Sequence, residues 1–489
     1  MQFNSLEYLI FFPLVVALYF ALPQRFRWVL LLTASYYFYM CWKAEYAVLL
    51  LTSTLVDYWS ALRMGSIEDK RGRRKYLIIS LIANLGLLFS FKYLDFFSES
   101  TRALFDSLNI FYGVPTFDIL LPVGISFYTF QTLSYTIDVY RGDRSPERHF
   151  GIFAVYVAFF PQLVAGPIER SNNLLPQFFE KHSFEYNRAA DGLRLMLWGF
   201  FKKIVIADRL AIYVNQVYNH PSDFSGGPLI LATYFFAFQI YCDFSGYTDI
   251  ARGSAQVMGF RLMENFRRPY FAKSILEFWQ RWHISLSTWF RDYVYGPLGA
   301  KCKPKWRWYY NLFIVFFLSG LWHGANWTFA IWGTLHGTYM VVSAATRRRR
   351  QRIRTFFRLD NHPTLLKWLQ VGTTFHLVLF AWVFFRAKSL GDALLILRKS
   401  VTVDFANLSA DLTRGFYTND LSRGWFDLTV AFACVALLIV VQLWQRSGEV
   451  RQFVTAKPIW VRWSLYYAGV VAIILLGVYE HAPFIYFQF

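Results

Sequence analysis

Charge is what this sequence has least of. Asp, Glu, Lys and Arg together make up 17% of its 489 residues, against roughly 25% in ordinary soluble domains. So little charge, beside long apolar runs, excludes a disordered chain. Cysteine is scarce too: the four residues Cys41, Cys242, Cys302 and Cys434 are widely spaced, with no C-x-x-C pair. That excludes a small disulfide-stapled scaffold and leaves buried structural thiols as the expected reading. There is no phosphate-binding G-x-x-x-x-G-K, no G-x-S-x-G elbow, no H-E-x-x-H and no cluster of metal-ligand residue types. Nucleotide hydrolysis and metal chemistry are therefore not expected, and no metal site is assigned. Internal repeats are absent, and the only biased tract is Arg347-Arg348-Arg349-Arg350.

What fills the chain instead is apolar. Hydrophobic residues make up 56% and aromatic residues 21%, with a mean hydropathy of +0.30. Length alone would suggest about three soluble domains, but this composition describes an all-α, polytopic membrane protein. Lys and Arg outnumber Asp and Glu by 50 to 31, giving a formal net charge of +19. In a membrane chain that surplus belongs to loops facing an anionic cytoplasmic surface, and no nucleic-acid partner is expected. The apolar run from Leu6 to Leu22 has no basic segment before it, so it reads as a first membrane helix rather than a cleavable leader.

Apolar segments are expected at 5–23, 28–43, 46–62, 76–94, 116–137, 151–166, 191–217, 227–256, 309–343, 366–386, 426–444 and 460–480. They group into N-terminal helices (1–115), a motif-bearing core (116–345) and C-terminal helices (364–489) of a single membrane domain. The basic segments Arg63–Lys75, Arg141–His149 and Arg347–Arg358 orient the chain with those loops cytoplasmic and both termini outside. The run from Tyr309 to Val342 is bounded by basic residues at both ends. As one straight helix it would be about 50 Å long, against a hydrocarbon core of about 30 Å. A hairpin or broken helix that turns inside the membrane is expected. Its break should fall in Ser319-Gly320-Leu321-Trp322-His323-Gly324-Ala325-Asn326, which places His323 at depth.

Ionisable residues inside membrane segments are costly, so each is a functional candidate until a partner is found. His323 reads either as a satisfied structural histidine or as a general base kept neutral by burial. His283 lies in Phe278–Trp289, expected to form one amphipathic helix at an interface or vestibule. His336 is expected to pack and hydrogen-bond within the bundle. Asp249 and Arg252, three apart, suggest a helical ion pair. Asp243 has no such neighbour, leaving substrate contact or helix capping open. The Pro161–Arg170 segment reads as an architectural helix break.

Five ordered segments resemble the membrane-bound O-acyltransferase family. Arg281–Gly299 (RWHISLSTWFRDYVYGPLG) and Ser319–Gly337 (SGLWHGANWTFAIWGTLHG) carry the resemblance most strongly. Leu121–Gly142, Phe159–Arg170 and Phe238–Gly253 support it, as does the C-terminal Phe484-Ile485-Tyr486-Phe487-Gln488-Phe489. The nearest likeness is to the bacterial branch that serves alginate O-acetylation.

This resemblance implies a helical bundle with a transmembrane tunnel and broken or re-entrant helices. It implies an inner-membrane acyltransferase moving an acetyl group from a cytoplasmic thioester to an extracytoplasmic polysaccharide. The donor would be acetyl-CoA as co-substrate, with no bound cofactor. A periplasmic esterase-like partner and polysaccharide machinery would assist, and membrane lipid surrounds the enzyme. His323 matches the family's catalytic histidine and His283 its second polar position. Asp243, Tyr247, Trp322, Asn326, Arg281 and Arg291 are candidate substrate contacts, and Lys203 joins the two arginines as a candidate for the donor's phosphates. General-base catalysis and an acyl-histidine intermediate both remain open. So do D-alanyl transfer to an envelope polymer and, outside catalysis, a polysaccharide or lipid exporter or a scaffold.

Overall fold

Apolar residues run through this chain at helical spacing, and few prolines interrupt them. The computed structural model accordingly folds as helices, with no strand among the described residues. These are residues 1–110, 122–164, 166–300, 302–402, 408–416, 421–445, 450–479 and 484–485. Each expected apolar segment is mostly helix where it is described; the start of the 116–137 segment and most of the C-terminal hexapeptide lie outside the described residues. Among the described residues, five helices are long and apolar enough to cross a membrane: Lys70–Lys92, Gly226–Met258, Pro363–Arg386, Gly424–Trp444 and Ile459–Leu476. The last buries none of its residues against protein, as expected of a helix whose apolar surface faces lipid.

Several expectations change in detail. The 151–166 segment is not one helix but Phe150–Ala158 followed, after Phe159, by Phe160–Leu163. The 191–217 segment runs from Tyr186 to Asn219 with a π-helical stretch at Phe201–Ala207 in its middle. The arginine run, expected as part of a basic cytoplasmic loop, forms a helix, Arg347–Phe356, with no buried residue. Among the cysteines, Cys242 and Cys434 are buried, whereas Cys41 is exposed and Cys302 half-buried.

The chain divides into two compact units. The first comprises Met1–Met196 and Ile250–Glu264. Its helices Tyr46–Gly65, Lys70–Lys92 and Ile125–Arg141 meet along a polar seam. Asp57, fully buried, accepts from Ser80 Oγ and from Asn84 Nδ2 at 2.9 Å. Ser53 Oγ donates to Asn84 Oδ1 at 2.6 Å. In lipid, side-chain hydrogen bonds of this kind hold helices together where apolar contact alone gives no preference for protein over lipid. The Pro161–Arg170 break belongs to this unit and is tied down by buried Glu169, which accepts from Met263 N and, at 2.7 Å, from Asn173 Nδ2.

The second unit comprises Leu197–Asp249 and Asn265–Phe489. It contains the hairpin expected from the sequence. The first arm is Lys305–His323 and the second Trp327–Ala345, nineteen residues each, so each arm is about 28 Å long. The break falls inside the expected octapeptide: Gly324 is extended, and Asn326 Oδ1 caps the second arm by accepting from Thr328 N at 3.0 Å. The arms cross closely because two glycines face each other. A Cβ on Gly320 would lie 2.4 Å from the Phe329 carbonyl oxygen and 2.8 Å from Gly333 Cα. One on Gly333 would lie 2.5 Å from the Phe316 carbonyl oxygen. Glycine inside a helix costs about 1 kcal/mol relative to alanine; here close backbone approach requires it.

Candidate active site

His323 is the last residue of the first arm and only 3% exposed. Its imidazole packs edge-on against Trp332 of the second arm, with ring centroids 4.9 Å apart, and against Phe385 at 5.3 Å. Trp332 in turn stacks on Trp382 at 6.0 Å. The wall around His323 is therefore aromatic and comes from both hairpin arms and the Pro363–Arg386 helix.

His283 reaches the same place by a different route. The expected single amphipathic helix over 278–289 is instead two short helices, Ile275–Trp279 and Ile284–Phe290. Between them His283 adopts a left-handed conformation, φ 43° and ψ 56°. Asn265 explains the break: its carbonyl accepts from Ile284 N at 3.0 Å and its side-chain oxygen from Ser285 N at 3.1 Å. Arg267 N also donates to Arg281 O at 2.9 Å. The turn is thus anchored to a strap that a continuous helix would not meet. A left-handed non-glycine residue is uncommon and concentrates at functional sites, although histidine tolerates it better than most.

The turn delivers His283, fully buried, against Phe244 of the long Gly226–Met258 helix, edge-on at 4.6 Å. Trp322 is the shared element: its indole lies 6.2 Å from the His283 ring and 4.9 Å from the His323 ring. Burial pushes the His283 imidazole from its ordinary 6.5 down to about 3. It is therefore neutral at working pH, able to donate through one nitrogen and accept through the other.

The remaining candidates group differently. Asp243 has the neighbour its local sequence does not reveal: Lys203 Nζ lies 2.7 Å from Asp243 Oδ1 and 2.7 Å from Asp208 Oδ1. Lys203 is 1% exposed and holds both carboxylates, so it cannot also reach a donor's phosphates. Asp243 Oδ2 accepts from Ile485 N at 2.7 Å, and Phe484 packs on Tyr247 at 4.4 Å and Phe244 at 5.7 Å. Asp243 and Tyr247 therefore seat the Phe484–Ile485 pair beside Phe244, the ring that packs on His283.

Asp249 finds its partner in Lys202 at 2.8 Å, and Arg252 lies 3.9 Å from Glu264. Both residues thus have partners beyond the helical neighbour that their three-residue spacing suggests. Arg281 pairs with Glu277, and Arg291 with Asp292 at 2.7 Å. Both arginines keep solvent exposure. Asn326 serves the hairpin turn as its cap and donates to Lys388 O at 3.2 Å. Among the described residues, no three His, Cys, Asp or Glu side chains converge as metal ligands.

Sequence reasoning missed the Lys202–Lys203 pairings, although two adjacent lysines inside an apolar run were a signal for them. The π-helical stretch that carries both lysines is a feature frequent at functional sites. The Asn265 strap left no comparable signal.

The sequence profile of the membrane-bound O-acyltransferase family matches residues 149–384. A "probable alginate O-acetylase" of Azotobacter vinelandii is 42% identical over 395 residues, covering 80% of this chain and 76% of that protein. The chain belongs to the membrane-bound O-acyltransferase family. This acyltransferase is also 36% identical to a "probable alginate O-acetylase" of Pseudomonas putida over the full length of both chains. It is 34% identical to a peptidoglycan O-acetyltransferase of Helicobacter pylori, covering 86% of this chain and 84% of that one. It is thus a multi-pass membrane enzyme of acyl transfer, and both histidine segments and the hairpin lie inside the matched region.

Proposed function

We propose that this acyltransferase is an O-acetyltransferase of the bacterial inner membrane, with both termini on the periplasmic side. It takes acetyl from a cytoplasmic thioester, acetyl-CoA, and delivers it for O-acetylation of an extracytoplasmic polysaccharide such as alginate. A periplasmic esterase-like partner completes delivery. The relatives' names support the reaction class and the kind of polymer. The exposed arginine helix Arg347–Phe356 supports an anionic donor at the cytoplasmic face.

The observation that carries the reading is the pair of buried imidazoles sharing Trp322 in an aromatic-walled site. In this reading His323 takes the proton from the acceptor hydroxyl as its oxygen attacks the thioester carbonyl carbon. The carbonyl oxygen becomes an oxyanion, which neutral His283 stabilises by donating a hydrogen bond. The oxyanion then collapses, the carbon–sulfur bond breaks, and the thiolate leaves with the proton held by His323. An apolar, buried surround strengthens both interactions by lowering the local dielectric.

The test is His323→Ala in membranes supplied with radiolabelled acetyl-CoA, reading label in polymer and folded enzyme by gel filtration. Loss of transfer by about 10²–10⁴-fold, the usual worth of a general base, is expected. Folded His323→Ala enzyme that transfers at the wild-type rate removes the assignment. Wild-type enzyme that transfers no label from acetyl-CoA removes acetyl-CoA as the donor.

A further inference from the structure

His336 lies on the second arm, thirteen residues beyond His323, and is fully buried. Its Nδ1 accepts from the Trp279 indole Nε1–H at 3.2 Å. An indole nitrogen can only donate, so the imidazole is neutral with its own proton on Nε2. The Trp279 ring closes edge-on over the same imidazole at 5.0 Å. On its other contacts, His336 packs against Trp332 at 4.8 Å, and Trp332 is the ring that packs on His323 at 4.9 Å. Trp279 ends the short helix Ile275–Trp279, four residues before His283, and is itself 6% exposed.

A histidine buried among Phe278, Trp279, Phe316 and Trp332 is an expensive way to fill space. A phenylalanine would pack there with no polar atom to satisfy. What the imidazole adds is an acceptor for one specific indole N–H. That bond runs from the segment that presents His283 to the hairpin that presents His323.

We infer that the Trp279–His336 hydrogen bond is the tether holding the two catalytic elements in register, which makes both residues positioning residues for acyl transfer. The inference rests on the reading of His283 and His323 as the reacting pair. Neither Trp279 nor His336 touches the reacting atoms; Trp279 acts through the turn that follows it, and His336 through Trp332. Loss of the bond frees the His283 turn from the hairpin while each half keeps its own packing.

The test is a double-mutant cycle on the full-length membrane enzyme with Trp279→Phe, His336→Phe and the pair combined, alongside His336→Gln. Turnover per folded molecule and KM for acetyl-CoA are measured. Each phenylalanine variant should lower kcat about 10–100-fold, the scale of an ångström misplacement, with KM changed less than about 2-fold. The combined variant should be no slower than the slower single, because both remove the same bond. His336→Gln, whose side-chain carbonyl can accept from the indole, should recover most of the rate. Wild-type kcat in the singles, losses that multiply in the pair, or glutamine no better than phenylalanine would each overturn the tether. If Trp279→Phe does not fold, the His336→Phe and His336→Gln comparison alone decides. His323→Ala separates this from the parent reading: an active His323→Ala enzyme sinks the reading itself, whereas an inactive one beside multiplying losses sinks only the tether.

Discussion

Gly320→Ala is the sharpest probe of how the hairpin serves the chemistry. A methyl group at this position would sit 2.4 Å from the Phe329 carbonyl oxygen, where carbon–oxygen contacts settle at about 3.3 Å or more. The neighbour is backbone of the second arm, so no side chain can turn aside, and the arms must part by about 1 Å. Alanine returns about 1 kcal/mol of helix propensity, while forcing a packed crossing apart costs about 1–3 kcal/mol. Net destabilisation should therefore be small, about 0–2 kcal/mol. Activity should suffer more, because His323 lies one turn from Gly320 on the arm that moves. A displacement of about 1 Å can cost about 10²-fold in rate, equivalent to about 2.7 kcal/mol. Thermal unfolding in detergent and acetyl transfer per folded molecule, measured on one preparation, separate the two effects. Gly333→Ala, opening the same crossing, should behave alike, and the pair should not multiply. Gly86→Ala and Gly372→Ala meet no atom within 4 Å and should leave activity unchanged. Gly320→Ala enzyme that keeps its rate within about 3-fold while the arms part would refute the link between crossing and catalysis.

Lys203→Met should destabilise the second unit by about 3–5 kcal/mol, because Asp208 and Asp243 would be left buried without their shared cation. Adding Asp208→Asn and Asp243→Asn should restore much of that loss in a denaturant or thermal series, and no recovery would mean that the ion pairs are not the cause. His283 supplies a pH signature. Its folded-state pKa of about 3 lies below the ordinary 6.5, so between those values the unfolded chain binds the extra proton. Stability from this group is thus unchanged above pH 6.5 and falls by about 1.4 kcal/mol per unit below it. The difference between wild type and His283→Asn, followed by unfolding from pH 7 to pH 5, should show that slope; a flat difference would place His283 in a wetter setting.

Local rules read correctly wherever the cause was local. The hairpin broke where glycine and asparagine permit extension and capping, and helices formed where apolar residues recur. The same rules failed wherever a partner came from far along the chain. Helical periodicity continues unbroken through Gln280–His283, and only the backbone and amide of Asn265, about twenty residues earlier, explain why the chain turns left-handed there. Asp249 sits at ion-pair spacing from Arg252, and it also reaches Lys202, forty-seven positions away, which local spacing does not reveal. In water, a nearby weak partner suffices, because solvent completes what the pair leaves unsatisfied. Inside a bundle wrapped by lipid there is no such supplement, so a buried charge is stable only where another helix brings a full complement of opposite charge and hydrogen bonds. Spacing along one helix then leaves such a distant partner unseen. The same physics governs the site: His336 and Trp279 are fifty-seven residues apart, and each, read alone, looks like packing. Their significance lies in a polar bond between two otherwise aromatic surfaces, which no single segment contains.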